Sequence, residues 1–462
     1  RALSRPASPD PPDDPDMADA ADLPGFPPEA FRARRERYLR LVGDAVTVLP
    51  AAREGYRARD TELRFRQDSD FHYLTGFPEP DAVAVLTPHD PERTFTLFVR
   101  PRDPEREAWS GVRFGVEGAR ERFGADAAYP LEELDQHLRD LLLPASEVVY
   151  ALGADPEMDR RVAALLAGFR RSRPRSGKGP LVLRDPDTLL AEMRLVKEPA
   201  ELELHRRAAR VSAEAHRAAM RAARPGIGEW ELESLIDGRF RAAGGAGPAY
   251  PTIVGSGAGA TVLHYVSNDR RAREGDLVLI DAGAEVGMYA GDITRTFPVS
   301  GRFTPAQRAV YEVVLEAEEA GIAAARPGAS VLGAHDAAVR VLTRGMVELG
   351  LLRGDVDELI RDGAFRRFYM HQTSHWLGLD VHDVGPYRRA DGEPVLLEPG
   401  MVLTVEPGIY VAGSAEDVPA ELRGIGVRIE DNVVVTADGH EVTTRGVPVS
   451  VAEVEALVGS GA

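Results

Sequence analysis

Two apolar runs in the C-terminal half of the chain each end on an acid. Leu277-Val278-Leu279-Ile280 leads into Asp281, and Met401-Val402-Leu403-Thr404-Val405 leads into Glu406. Each run follows a glycine, so residues 275–281 align with residues 400–406. A carboxylate at the end of a buried strand is costly unless something cationic meets it there. One more acid follows each strand: Asp292 in Gly291-Asp292-Ile293-Thr294 and Glu430 in Ile429-Glu430-Asp431-Asn432. The repetition extends upstream. A long amphipathic helix from Pro199 ends at Ala223-Arg224-Pro225-Gly226, a second from Pro305 ends at Ala325-Arg326-Pro327-Gly328, and each is followed by another helix of about four turns. Thr304 as N-cap, Pro305 at the first helical position and Gln307 closing a capping box mark the start of the second unit. A duplicated unit folding into pseudo-twofold halves would set Asp281 opposite Glu406 and Asp292 opposite Glu430. Chance repetition is the alternative, because proline-glycine is common after a helix.

The halves also share a histidine context, His264 in Leu263-His264-Tyr265 and His375 in Ser374-His375-Trp376. Asp281 and Asp292 flank Gly283 and Gly287, which suits two strands of a hairpin with both acids on one side. Oxygen ligands with one imidazole favour a hard divalent ion, Mn, with Co or Zn as substitutes. Four carboxylates nearly neutralise two such ions, whereas one ion would leave strong acid-acid repulsion. A water between two divalent ions loses a proton near neutral pH, so the reaction class is metal-assisted hydrolysis of a carbonyl or phosphoryl group. A solitary strand-end Asp is ordinarily a turn former, and the combination is what argues for ligands. His371 and His375 have the spacing of a helical zinc pair, but Gln372 replaces that motif's Glu. Thr373, Trp376, Gly378 and Val381 favour irregular or extended chain. His205, His216 and His335 fall on helices rich in arginine or alanine and are expected to be solvated.

Composition limits the partners. A net charge of -18 argues against nucleic acid or an anionic membrane, both of which need a basic face, and no apolar run is long enough to span a bilayer. The absence of cysteine excludes disulfides and thiolate metal sites and is compatible with a cytoplasmic protein. Of 56 basic residues only Lys178 and Lys197 are lysines. Residues 1–25, crowded with proline and aspartate, are expected to be disordered. Residues 26–190 read as a mixed α/β domain, with strands at 45–49, 82–86 and 94–99 and helices at 28–41, 131–142 and 159–169. Its histidines, His72, His89 and His137, are expected in structural or surface roles, and residues 171–180 read as a loop. A new helical register near Leu190 marks the start of a second domain, residues 191–462.

At these residues the chain resembles a known family. Met370-His371-Gln372-Thr373-Ser374-His375-Trp376-Leu377-Gly378-Leu379-Asp380-Val381-His382-Asp383 and Arg423-Gly424-Ile425-Gly426-Val427-Arg428-Ile429-Glu430-Asp431 resemble signatures of the metal-dependent pita-bread (creatinase/aminopeptidase) peptidases, in particular their Xaa-Pro aminopeptidase (aminopeptidase P) branch. Arg66-Gln67-Asp68-Ser69-Asp70-Phe71-His72-Tyr73-Leu74-Thr75-Gly76-Phe77 resembles the N-terminal domain of that branch. The resemblance implies an α+β protein: a C-terminal pita-bread domain with pseudo-twofold halves behind an N-terminal creatinase-like α/β domain. It implies two divalent metal ions, with Asp281 on one, Asp292 and Glu430 bridging both, His375 on the first and Glu406 on the second. Glu406 would also act as general base, His264 and His382 would steady the tetrahedral intermediate and leaving nitrogen, and His371, Tyr410 and Arg428 would surround the substrate proline. The implied activity is removal of the N-terminal residue from peptides with proline in second position. Prolidase, which shares the ligands but cuts dipeptides, is the alternative, followed by a catalytically inactive peptide-binding relative. Relatives of this kind are commonly dimers or tetramers, and Trp109 in Ala108-Trp109-Ser110-Gly111 is a candidate intersubunit contact.

Overall fold

The computed structural model describes residues 26–461, so the expectation of disorder for residues 1–25 falls outside them. The N-terminal part is built on a six-stranded sheet. Its central strand Val46–Pro50 pairs antiparallel with Val83–Leu86 and parallel with Glu147–Val149. Phe95–Val99 and Ala127–Pro130 extend one side and Val182–Arg184 the other. The fully buried run Phe95-Thr96-Leu97-Phe98-Val99 shows why this sheet reads as continuous apolar stretches: side chains are covered on both faces. Helix Pro28–Val42 packs on it through Phe31, Tyr38 and Val42. The expected loop at 171–180 is instead the end of a long helix, Pro156–Ser176. Pro174 costs that helix only one hydrogen bond in its final turn, and Gly177, with φ +68°, ends it in the left-handed conformation.

The C-terminal part shows the repeat. Helices Pro199–Ala222 and Glu229–Ala242 precede the sheet Ile253–Ser256, Leu277–Asp281 and Thr294–Pro298. Helices Pro305–Ala324 and Gly333–Glu348 precede the sheet Val402–Val405, Asp431–Thr436 and Gly439–Val442. Both long helices start with a capping box, Thr304 with Gln307 as expected and Glu198 with Glu201 in addition. In the first sheet Asp281 lies opposite Thr294, and in the second Val405, one residue before Glu406, lies opposite Asp431, one residue after Glu430. Gly275 and Gly400 both take positive φ, +87° and +96°, to turn the chain into the acid-bearing strands. One antiparallel bridge, Thr294 to Glu430, sews the two halves together. Between Asp281 and Asp292 the chain makes an extra small hairpin, Ala284–Val286 with Tyr289–Ala290. Asp292 therefore sits in the turn before its strand rather than on it.

The two parts share a core: Leu204, Tyr289 and Leu379 pack with Phe71, Tyr73, Leu190 and Met193. The helix Pro199–Ala222 is covered on several sides, which corrects the expectation for its histidines. His205 and His216 are 1% and 0% exposed. The alanines that made the helix look solvent-facing instead let neighbours approach closely, and His216 Nε2 meets the Ala282 carbonyl at 2.9 Å. His335 is half-buried and bonded to Thr373 Oγ1 at 2.9 Å, so it too is not simply solvated. His72 is buried against Phe31, His137 stacks on Tyr129 and His89 is exposed, in keeping with structural or surface roles. Among the described residues no helix is long and apolar enough to cross a membrane.

Candidate metal centre

A cavity of about 570 Å³ opens between the halves, lined by Asp281, Asp292, His375, Glu406 and Glu430, and by His264, His371, His382 and Arg428. Pro251, Ile253, Leu263, Val266 and Val381 give it an apolar wall. Ligand atoms of Asp292, His375 and Glu430 all lie within 4.8 Å of one another. Glu406 Oε1 is 3.6 Å from His375 Nε2, and Asp292 Oδ2 is 3.4 Å from the same nitrogen. Asp281 joins through Tyr250, whose hydroxyl lies 2.7 Å from Asp281 Oδ1 and 2.5 Å from Asp292 Oδ1 and shares its one proton between them.

Each ligand is aimed by its backbone. The segment carrying His375 is irregular, as its residues suggested, but it runs beside strand Val402–Val405: Trp376 bridges Leu403, Thr404 N–H donates to the His375 carbonyl, and Glu406 N–H donates to that of Thr373. His375 Nδ1 donates to the Trp376 carbonyl at 3.0 Å, which leaves Nε2 facing the acids. Asn432 accepts from the Asp292 backbone N–H at 3.0 Å and donates to its carbonyl. Thr294 Oγ1 donates to Glu430 Oε2 at 2.7 Å. Thr294 and Asn432 stand in the two acid-bearing motifs without any sequence signal of these roles, and Tyr250, in Ala249-Tyr250-Pro251, carries no signal of its own.

The electrostatics are those of a site built for cations. Burial pushes Glu406 up to about 8 and holds Glu430 well above the usual carboxylate range, with Asp292, Glu406 and Asp281 adding repulsion. Asp292 is raised by burial and by Asp281, against the pull of His375. Burial alone would lower His375, but Asp292 and Glu406 outweigh it and lift the imidazole to about 9. Four acids crowded around one imidazole are stable only with extra protons or with metal. Their hard oxygens and free Nε2 fit divalent ions.

A second chain of bonds lies beside these. Arg428 donates from Nη2 to Asp281 Oδ2 at 2.5 Å and from Nη1 to the Tyr410 hydroxyl at 3.1 Å, and that hydroxyl is 2.8 Å from His371 Nε2. Burial and Arg428 push His371 down to about 3, so its ring is neutral, receiving the Tyr410 proton at Nε2 and donating from Nδ1 to the Gln372 carbonyl. His382 meets His375 edge-on, with ring centroids 4.5 Å apart, and is lowered by burial and by that neighbour. His264 lines the mouth and is exposed.

Pseudo-twofold halves closing on an acid-rich cavity, with the His375 imidazole set among the acids, define a metal-dependent hydrolase. Comparison with known proteins narrows the class. Residues 203–437 match the model of metallopeptidase family M24, and residues 31–150 that of the aminopeptidase P N-terminal domain. The chain is 46% identical to the Xaa-Pro aminopeptidase of Escherichia coli, covering 93% of this chain and 97% of that one. It is 34% identical to mouse Xaa-Pro aminopeptidase 3, over 94% and 86%. Among solved structures, Pseudomonas aeruginosa aminopeptidase PepP superposes with a TM-score of 0.92 at 50% identity, covering 94% of this chain and 99% of that one. Zinc-substituted E. coli aminopeptidase P in complex with product gives 0.90 at 45%, over 95% and 99%. The chain belongs to metallopeptidase family M24, with an aminopeptidase P N-terminal domain ahead of its catalytic domain. It has the expected fold, a pita-bread catalytic domain behind an α/β domain, and it is a metallo-exopeptidase of the hydrolase class.

Proposed function

We propose that this enzyme removes the N-terminal residue from peptides with proline in second position, using two divalent metal ions, Mn in the first instance. The observation behind this reading is the convergence of Asp292, His375 and Glu430 with Glu406 beside them in a cavity large enough for a peptide end. The near full-length likeness to Xaa-Pro aminopeptidases supports the substrate class and does not favour prolidase. All five ligand residues are present, which argues against an inactive relative.

In this reading Asp281, Asp292, His375, Glu406 and Glu430 hold the metals. When bound, the ions neutralise the acids, polarise the scissile carbonyl and make water acidic enough to supply the nucleophile. The protein's own part is geometric and protonic. Glu406, deep in the cavity, takes and returns the proton as general base. His264 and His382 at the mouth donate hydrogen bonds to the tetrahedral intermediate and the leaving nitrogen. The linked His371, Tyr410 and Arg428 form the wall against which the proline ring packs. Residues 26–190 and 191–462 serve as the N-terminal and catalytic domains. We place the enzyme in the cytoplasm as a homo-oligomer, with Trp109, 93% exposed, as a subunit contact; light scattering at assay concentration tests the assembly.

The deciding experiment uses metal-stripped enzyme reconstituted with Mn and a matched pair, Xaa-Pro and Xaa-Pro-Xaa-Xaa. Cleavage of the longer peptide is expected. Cleavage of the dipeptide alone would make the enzyme a prolidase, and inactivity on both would favour a binding role.

A further inference from the structure

The segment 378–383 carries His382 into the cavity, and charged groups from outside the catalytic sheets hold it on both sides. Asp383, two-sided and buried, accepts from Arg194 Nη2 at 2.5 Å and from Lys197 Nζ at 3.0 Å. Asp380 accepts from Arg194 Nη2 at 2.8 Å and from Ser69 Oγ at 2.7 Å. Arg194 Nη1 reaches Asp70 at 2.7 Å, and Arg66 Nη2 donates to the Leu379 carbonyl at 2.6 Å while its Nε holds Glu285 at 2.5 Å. Arg66, Ser69 and Asp70 all come from the N-terminal domain, and Arg194 and Lys197 from the first residues of the catalytic domain, ahead of helix Pro199–Ala222. The cage is tightly filled: a Cβ on Gly378 would stand 2.1 Å from Asp383 Oδ2 and 3.0 Å from Lys197 Cε. That crowding explains a lysine in a chain whose basic residues are otherwise almost all arginine. A guanidinium at 197 is broader than the space beside Gly378.

We infer that Arg66, Ser69, Asp70, Arg194 and Lys197 are positioning residues that fix His382 over the reacting centre by pinning the residues on either side of it. His382 itself is exposed at the cavity with the His375 ring edge-on beside it, and its aim is set through the backbone that Asp380 and Asp383 anchor. The N-terminal domain is thereby part of the catalytic apparatus without touching substrate. A positioning shell of this kind changes rate by about 10- to 100-fold when broken. The inference rests on the proposed role of His382.

The test is a double-mutant cycle in the full-length, Mn-loaded enzyme, combining Ser69→Ala with Asp70→Asn in the His382 and His382→Ala backgrounds. With an Xaa-Pro tetrapeptide, kcat is expected to fall about tenfold in the His382 background with KM little changed, and to be nearly unaffected in the His382→Ala background. An equal loss in both backgrounds would mean that the network only docks the domains, and no loss in either would overturn the inference directly. If His382→Ala alone leaves kcat unchanged, the role of His382 fails and the inference with it, a result that appears in a different arm of the cycle. Hydrogen exchange of residues 378–383 in the metal-free variant gives a readout independent of activity: faster exchange confined to that segment is expected, and unchanged exchange would refute pinning. A urea melt of the Ser69→Ala/Asp70→Asn variant that matches the parent guards against misfolding, and Ser69→Thr alone, which keeps the hydroxyl that Asp380 accepts from, should hold the parent rate.

Discussion

The two halves of the catalytic domain share a backbone plan but treat their strand-end acids differently. Asp281 is met by the Arg428 guanidinium and by the Tyr250 hydroxyl. Glu406, its counterpart, has no cation in contact beyond imidazoles at 3.6 Å, and burial pushes it up to about 8. Symmetry thus supplies the positions, and local partners set the two acids apart. One half holds its acid on a guanidinium and a hydroxyl, while the other leaves an acid raised by burial, which suits the general-base role proposed for Glu406.

Substitutions sharpen the contrast. The largest effect is expected from Glu406→Gln, which should cut kcat by about 10²- to 10⁴-fold while leaving the metal-free fold intact, as urea melts would show. Asp281→Asn should do the opposite to stability, because it removes the carboxylate that pairs with Arg428, 3% exposed, and leaves that guanidinium on the neutral hydroxyls of Tyr410 and Thr294. A loss of about 3 kcal/mol in the metal-free protein is expected. If both variants melt alike, the difference between the halves is not electrostatic.

The paired helices should differ in their response to pH. His205 and His216 on the first helix are pushed down to about 4 by burial. Their unfolded forms take up protons below about pH 6.5, so the stability they confer is complete above that value and is lost as pH falls toward 4. Glu318 on the second helix is held well above the usual range by burial and Asp431. Its unfolded form ionises first as pH rises above about 4.5, so stability is full below that value and is lost upward. Hydrogen exchange at pH 5 should therefore open Pro199–Ala222 more readily than at pH 7, with Pro305–Ala324 changing in the opposite sense. His205→Leu should flatten the acid side by about 1 to 3 kcal/mol, and Glu318→Gln should flatten the other, both read from urea melts across pH. The smallest effect belongs to Tyr250→Phe. Loss of the hydroxyl shared by Asp281 and Asp292 should weaken Mn binding by about tenfold in calorimetry, and no change would show that the acids hold their own orientation.

The acid-bearing strands were legible because an ionisable group at the end of an apolar run breaks a pattern that solvent alone would enforce. The two long helices and their repeat were legible because the Thr304 cap and the proline-glycine turns are local signals, whereas the Glu198 box at the first helix was not read from the sequence. What escaped was set by tertiary approach. His216 looked solvated because alanine neighbours say nothing about which faces are covered, and the Arg428 to Asp281 pair joins residues 147 positions apart. The hairpin between Asp281 and Asp292 was compressed into a single turn because its strands are only two or three residues long. Pro174 marked a break that its long helix absorbs.

The scarcity of lysine also has a practical side. Lys197 is 5% exposed and locked against Asp383, whereas Lys178 stands free in the turn after the Pro156–Ser176 helix. An amine-directed dye or a surface coupling reaction therefore meets one accessible side chain on the folded enzyme, far along the chain from every residue of the metal centre. A probe attached there would report on tumbling and assembly from the N-terminal domain, none of whose residues lines the cavity.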